Sequence, residues 1–173
     1  RFINDVSHRR EILFARKLGL WVITDRMTGS TPHKYQWQWP FYCPDPKSVE
    51  GQNYPGFRRE DISFDQTQQT YRASSTNSVN LTMSLFSEEP LKMDGLACKL
   101  EGKNNRTLVS LLYPRKFENG AVAPDLSDVK PVNGPEGAIG FSASVPGGGR
   151  VVYQTAQASG QVAIDGITMK GEG

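Results

Sequence analysis

Five ring-bearing side chains occupy alternate positions from 33 to 41: His33, Tyr35, Trp37, Trp39 and Phe41, with Lys34 between the first two. A β-strand sends successive side chains to opposite faces, so all five rings would share one face. Exposed, such a row is a platform on which sugar rings stack, with Lys34 and Arg26 to meet carboxylates or sulfates. Buried, it is the wall of an all-β core, the reading that alternating aromatics favour. Trp21 poses the same choice and leans further towards core. A second basic group, His8-Arg9-Arg10, offers guanidinium forks that match carboxylate and sulfate, or simply a solvated strand entry. The candidate substrate-binding residues are therefore His33, Tyr35, Trp37, Trp39, Arg9, Arg10, Arg26 and Lys34.

No Ser/His/Asp arrangement, phosphate loop or nucleic-acid motif is present, so no catalytic residue is assigned and no cofactor or nucleic-acid partner is expected. His8, Asp25 and His33 are zinc-ligand types without a known ligand spacing, so no metal is expected. Cys43 and Cys98 are the only cysteines and form no CxxC pair. Either they make one disulfide or they are two buried thiols, with the thiols favoured.

The elements that must position these residues read as strands nearly throughout. Segments 10–16, 20–24, 33–41, 61–64, 69–73, 79–86, 96–100, 106–113, 139–143, 150–155 and 161–168 carry apolar, β-branched or aromatic runs bounded by turn residues. In 79–86, Val79, Leu81, Met83 and Leu85 alternate with Asn80, Thr82 and Ser84, a pattern that predicts one buried face. Asp25–Gly29 reads as a strand end and loop. Residues 44–56 form a polar loop, and 117–137 is the longest stretch without periodicity, functional or mobile by its length. No 12-residue segment has helical spacing. About ten strands predict an all-β fold, a two-sheet antiparallel sandwich over residues 1–173 as one domain.

Length suits one well-buried core, and no run approaches the roughly 20 apolar residues of a membrane span. Net charge is +2, yet residues 1–36 hold seven Lys/Arg against three acids. That positive end suits an acidic partner, or reflects solvated strand faces. The chain opens on Arg1 with no signal-peptide pattern, and is expected to be a fragment of a longer polypeptide.

The string from His8 to Arg16, the run Leu20-Trp21-Val22-Ile23-Thr24-Asp25-Arg26-Met27-Thr28-Gly29, and the segment His33–Trp39 together resemble the C-terminal part of heparinase II/III-like polysaccharide lyases. The resemblance implies a C-terminal antiparallel β-sandwich beside an N-terminal α-helical toroid, in a secreted or periplasmic bacterial enzyme. It implies a parent that cleaves uronic-acid polysaccharides by β-elimination, which needs a base for the C5 proton, a group to neutralise the carboxylate and an acid for the leaving oxygen. The family's metal site begins at an H-x-H-x-D-x-G segment that this sequence lacks. The chain is thus expected to start downstream of the catalytic machinery and to act as a non-catalytic support or acidic-glycan-contacting domain. A free-standing carbohydrate-binding module and a structural or protein-interaction sandwich stand as the alternatives.

Overall fold

The computed structural model describes residues 5–38, 61–74, 79–94, 97–133, 138–147, 149–155, 160–164 and 167–170. Trp39, Phe41, Cys43 and the 44–56 loop lie outside the described residues. The all-β expectation holds: among the described residues there are fourteen strands and no α-helix. In chain order they are β1 (Val6–Ala15), β2 (Leu20–Gln38), β3 (Ile62–Asp65), β4 (Thr70–Ala73), β5 (Asn80–Ser87), β6 (Lys92–Asp94) and β7 (Ala97–Arg115). There follow β8 (Phe117–Glu118), β9 (Ala121–Val122), β10 (Ser127–Asn133), β11 (Ile139–Ser144), β12 (Arg150–Thr155), β13 (Gly160–Ile164) and β14 (Ile167–Lys170).

A large sheet runs β1-β2-β7-β5-β4-β3, with β6 added to one end of β7. A smaller sheet runs β10-β11-β12-β13-β14, and β8-β9 is a separate hairpin. Every ladder is antiparallel. The two sheets pack through Leu20, Val22, Phe86, Val109 and Leu111 against Ile139, Phe141, Ala143, Val151 and Tyr153. Phe141 stacks on Phe86 with ring centroids 5.3 Å apart and on Tyr153 at 5.8 Å. Each buried Leu, Ile, Val or Phe among them contributes about 1.5–3 kcal/mol relative to exposure. Thr24 and Tyr153 close the contact with a buried hydroxyl–hydroxyl bond of 2.7 Å. At Gly140 the approach between β11 and β12 is so close that a Cβ would lie 1.8 Å from the Tyr153 carbonyl oxygen.

Five expectations need correction. Asp25–Gly29 is not a strand end, because β2 runs on to Gln38. Pairing with β7 continues to Thr28 and resumes at His33 after a register shift. Pro32 falls inside that irregularity, where its missing N–H breaks no ladder bond. Segments 96–100 and 106–113 are likewise parts of one strand, β7. The described part of the 117–137 stretch, residues 117–133, is not structureless: an Asn119-Gly120 turn, both residues at positive φ, closes the β8–β9 hairpin, and β10 pairs with β11. Finally, β5 is buried on both faces. Asn80, Thr82 and Ser84 are as enclosed as Met83 and Leu85, whereas Val79 is exposed. The hydroxyls satisfy themselves locally, Ser84 with Thr70 at 3.0 Å and Thr82 donating to Asp125 at 2.8 Å. In 161–168, the single strand expected is a pair, β13 and β14.

Candidate functional site

The turn at Arg16–Gly19 fixes the register of the first hairpin. Gly19 sits at φ 66, a left-handed position that a side chain disfavours, and Leu18 N–H donates to the Ala15 carbonyl at 3.0 Å. With Ala15 opposite Leu20, the register then sets four cross-strand pairs on the outer face of the large sheet: Phe14 with Trp21, Ile12 with Ile23, Arg10 with Asp25, and His8 with Met27. At about 3.4 Å per residue these pairs form a ladder about 20 Å long, aromatic at one end and basic at the other.

Asp25 anchors the basic end. Its side chain is completely buried, and Arg10 grips it with both arms of the fork, Nε to Oδ1 at 2.7 Å and Nη2 to Oδ2 at 3.0 Å. His8 Nε2 meets the same Oδ1 at 2.7 Å. The hydrogen bonds to Asp25 push the Arg10 guanidinium further above its ordinary value. Both basic side chains remain almost half exposed over the buried acid, so the carboxylate holds them in place while they face solvent. Arg106, opposite Met27 on β7, is a further basic residue on this face; it is buried, pairing with Glu88 and Glu89 at 3.6 Å.

The aromatic end is open. Phe14 and Trp21 are 44% and 39% exposed, with ring centroids 4.1 Å apart and planes 19° apart. Ile12 beside them is among the most exposed large apolar residues described.

The predicted site residues do not gather in one place. Tyr35 and Trp37 are 6% and 4% exposed, packed in a second core cluster with Tyr71, Met83, Leu85 and Cys98. Tyr35 donates to the Asn104 carbonyl at 2.7 Å. His33, mostly buried, bonds Asp5 at 2.9 Å, and this contact holds the Asp5 carboxyl below its usual range. Lys34 is solvated beside Glu101, 3.7 Å away. Arg9 and Arg26 point to the other face of the ribbon, both on Glu11, and Arg26 also reaches Thr155 on the small sheet. Only Arg10 of the predicted set lies on the ladder. His8 and Asp25 do meet, but His33 is engaged elsewhere. Trp39 is outside the described residues.

Phe14 was not singled out by sequence, although the hairpin turn at Gly19 would have paired it with Trp21 by counting outward from the turn. Cys98 is a free, fully buried thiol, and burial pushes it up to about 11. Burial likewise raises Tyr71 to about 12.

No family model and no curated protein matches this chain. Solved structures do. A heparinase III gene product with methylated lysines superposes with a TM-score of 0.55 at 16% identity, over 98% of this chain and 24% of that one. A further heparinase III structure gives a TM-score of 0.51 at 12% identity, over 96% and 23%. A heparan sulfate lyase mutant from Pedobacter heparinus gives 0.50 at 19% identity, over 87% and 24%. The chain therefore spans about a quarter of the length of the structures it matches. At these identities the likeness is one of fold, and nearly the whole of this chain has the fold of a region of heparinase structures, in line with the resemblance that residues 8–39 carry.

Proposed function

We propose that this chain is the C-terminal β-sandwich portion of a polysaccharide lyase that acts on uronic-acid polysaccharides by β-elimination, and that it contributes binding rather than chemistry. The observation that carries the reading is the outer-face ladder: a stacked, half-exposed Phe14–Trp21 pair in line with His8 and Arg10, held outward by a buried Asp25. Aromatic faces accept the apolar faces of sugar rings, and guanidinium and imidazole suit their carboxylates or sulfates. In the parent enzyme this face would wall one side of a cleft that an α-helical toroid completes, in a periplasmic or secreted setting. The exposed aromatic pair would serve a free-standing carbohydrate-binding module equally well, which is the second reading.

Tryptophan fluorescence titrated with heparin, heparan sulfate, alginate and chondroitin tests the contact. The expected result is a saturable, salt-sensitive change with an acidic glycan, weakened about tenfold in Arg10→Ala and Trp21→Ala samples that remain folded. No saturable change with any acidic glycan would remove the contacting role. Ultraviolet absorbance from an unsaturated uronate product, generated by this chain alone, would overturn the non-catalytic assignment.

A further inference from the structure

We propose a second site, independent of the ribbon face: the cleft between the two sheets at β4, β5 and β10 binds an uncharged saccharide. The large sheet continues past β5 to β4 and β3, while the small sheet ends at β10. The inner face of β4–β5 is therefore left with an open space of about 890 Å³, within the range of about 300–1,000 Å³ found for small-molecule sites.

Both walls are held by side-chain hydrogen bonds. On the large sheet, Gln69 Oε1 accepts from the Leu91 N–H at 2.9 Å and its amide donates to the Gln66 carbonyl at 2.7 Å. Gln66 Nε2 in turn donates to the Leu91 carbonyl at 3.1 Å, and Leu91 itself is buried in the core. On the opposite wall, Asp125 accepts from Thr82 and from the Leu126 N–H, each at 2.8 Å. A register shift between Ser127 and Lys130 then presents Asp128. Among the described residues three non-glycines have positive φ, and two of them, Gln69 and Asp128, line this one cleft from opposite sides. Such conformations and such bulges gather at ligand sites.

The lining specifies the ligand class. Gln68, Arg72, Ser127, Asp128 and Asn133 offer amide, guanidinium, hydroxyl and carboxylate groups, with Phe86 at the apolar base. That mixture matches a ligand carrying many hydroxyls, and a carboxylate accepting an O–H makes a short, charge-assisted bond. Around the space Glu88 and Glu89 are paired with Arg106 and Asp125 with Arg115, while Asp128 and Arg72 carry opposite charges, so the lining presents no net positive charge to attract a carboxylated or sulfated sugar. The molecule thus carries two faces of different preference, a basic ladder for acidic glycan and a charge-balanced cleft for a neutral one.

The test is an amide NMR titration of the chain with cellotetraose, maltotetraose, mannotetraose and a heparin tetrasaccharide. At least one neutral tetrasaccharide is expected to shift Gln66–Gln69 and Ser127–Asn133 saturably, while the heparin fragment leaves those amides in place. Asp128→Asn, which keeps a residue tolerant of positive φ, should weaken that binding about tenfold, and Arg10→Ala should leave it unchanged. No saturable shift with any neutral tetrasaccharide, equal shifts with heparin, or an Asp128→Asn protein that binds as before would each overturn the proposal.

Discussion

Strand β2 presents aromatic residues at both ends, and the two ends have opposite fates. Near its start Trp21 lies half exposed on Phe14; near its finish Tyr35 and Trp37 are enclosed in a core with Tyr71, Met83 and Leu91. The strand periodicity is the same in both places. The difference comes from what lies across the sheet. Trp21 pairs with edge strand β1, and among the described residues nothing covers that part of the outer face. At the other end the register shift after Thr28 brings the aromatic row against β4, β5 and the Leu91 segment. An alternating pattern therefore says which residues share a face, and the neighbouring strands decide whether that face is wet.

The comparison can be broken by truncating each end in turn. Trp37→Ala should cost about 3–5 kcal/mol of stability, the usual range for emptying a buried tryptophan site, read as a lower midpoint in urea. Arg10→Ala comes next, at about 2–3 kcal/mol, because it leaves the buried Asp25 with His8 as its remaining partner on β1; fully buried broken pairs cost about 3–5 kcal/mol. Pairing it with Asp25→Asn should recover part of that loss, since both halves of the interaction are then gone. Trp21→Ala should cost only about 1 kcal/mol, the order of one aromatic pair, yet should weaken acidic-glycan affinity about tenfold. If Trp21→Ala proved as destabilising as Trp37→Ala, the two ends would be equivalent.

The buried end also carries a pH signature. Cys98 is held protonated by burial, up to about 11 from an ordinary 9.0. Its folded value exceeds the unfolded one, so its contribution is complete below pH 9 and is lost as pH rises through about 11. Tyr71 adds a similar loss between about 10 and 12. Unfolding midpoints should therefore fall across pH 9–11, and a Cys98→Ala protein should show a shallower fall. The smallest effect is expected at Asp5, an exposed partner of His33. Asp5→Asn should leave the unfolding midpoint almost unchanged, as for other exposed pairs.

Much of the fold was legible because apolar alternation and turn residues are local signals. The strands at 10–16, 20–24, 79–86 and 150–155 were readable that way. Asn119-Gly120 was a readable hairpin signal too, missed because its flanking strands are two residues long and show no alternation. Continuity of β2 and β7 was not legible. It depends on 19-residue strands pairing through a bulge, which no window of a few residues reveals. The site was partly legible. Arg10 was named from residue type alone, but its partner Asp25 became apparent only through the hairpin register. The cleft was not legible, because it arises from the unequal widths of two sheets and from residues 66 to 133 brought together by the sheet packing.

The most direct test of the ladder assignment is to map a heparin oligosaccharide onto the backbone amides of the intact chain. The account predicts saturable shifts at His8–Phe14 and Trp21–Asp25, sensitive to salt, with Tyr35–Trp37 unmoved. Shifts centred on Tyr35–Trp37, or none on the β1–β2 ribbon at saturating oligosaccharide, would contradict it.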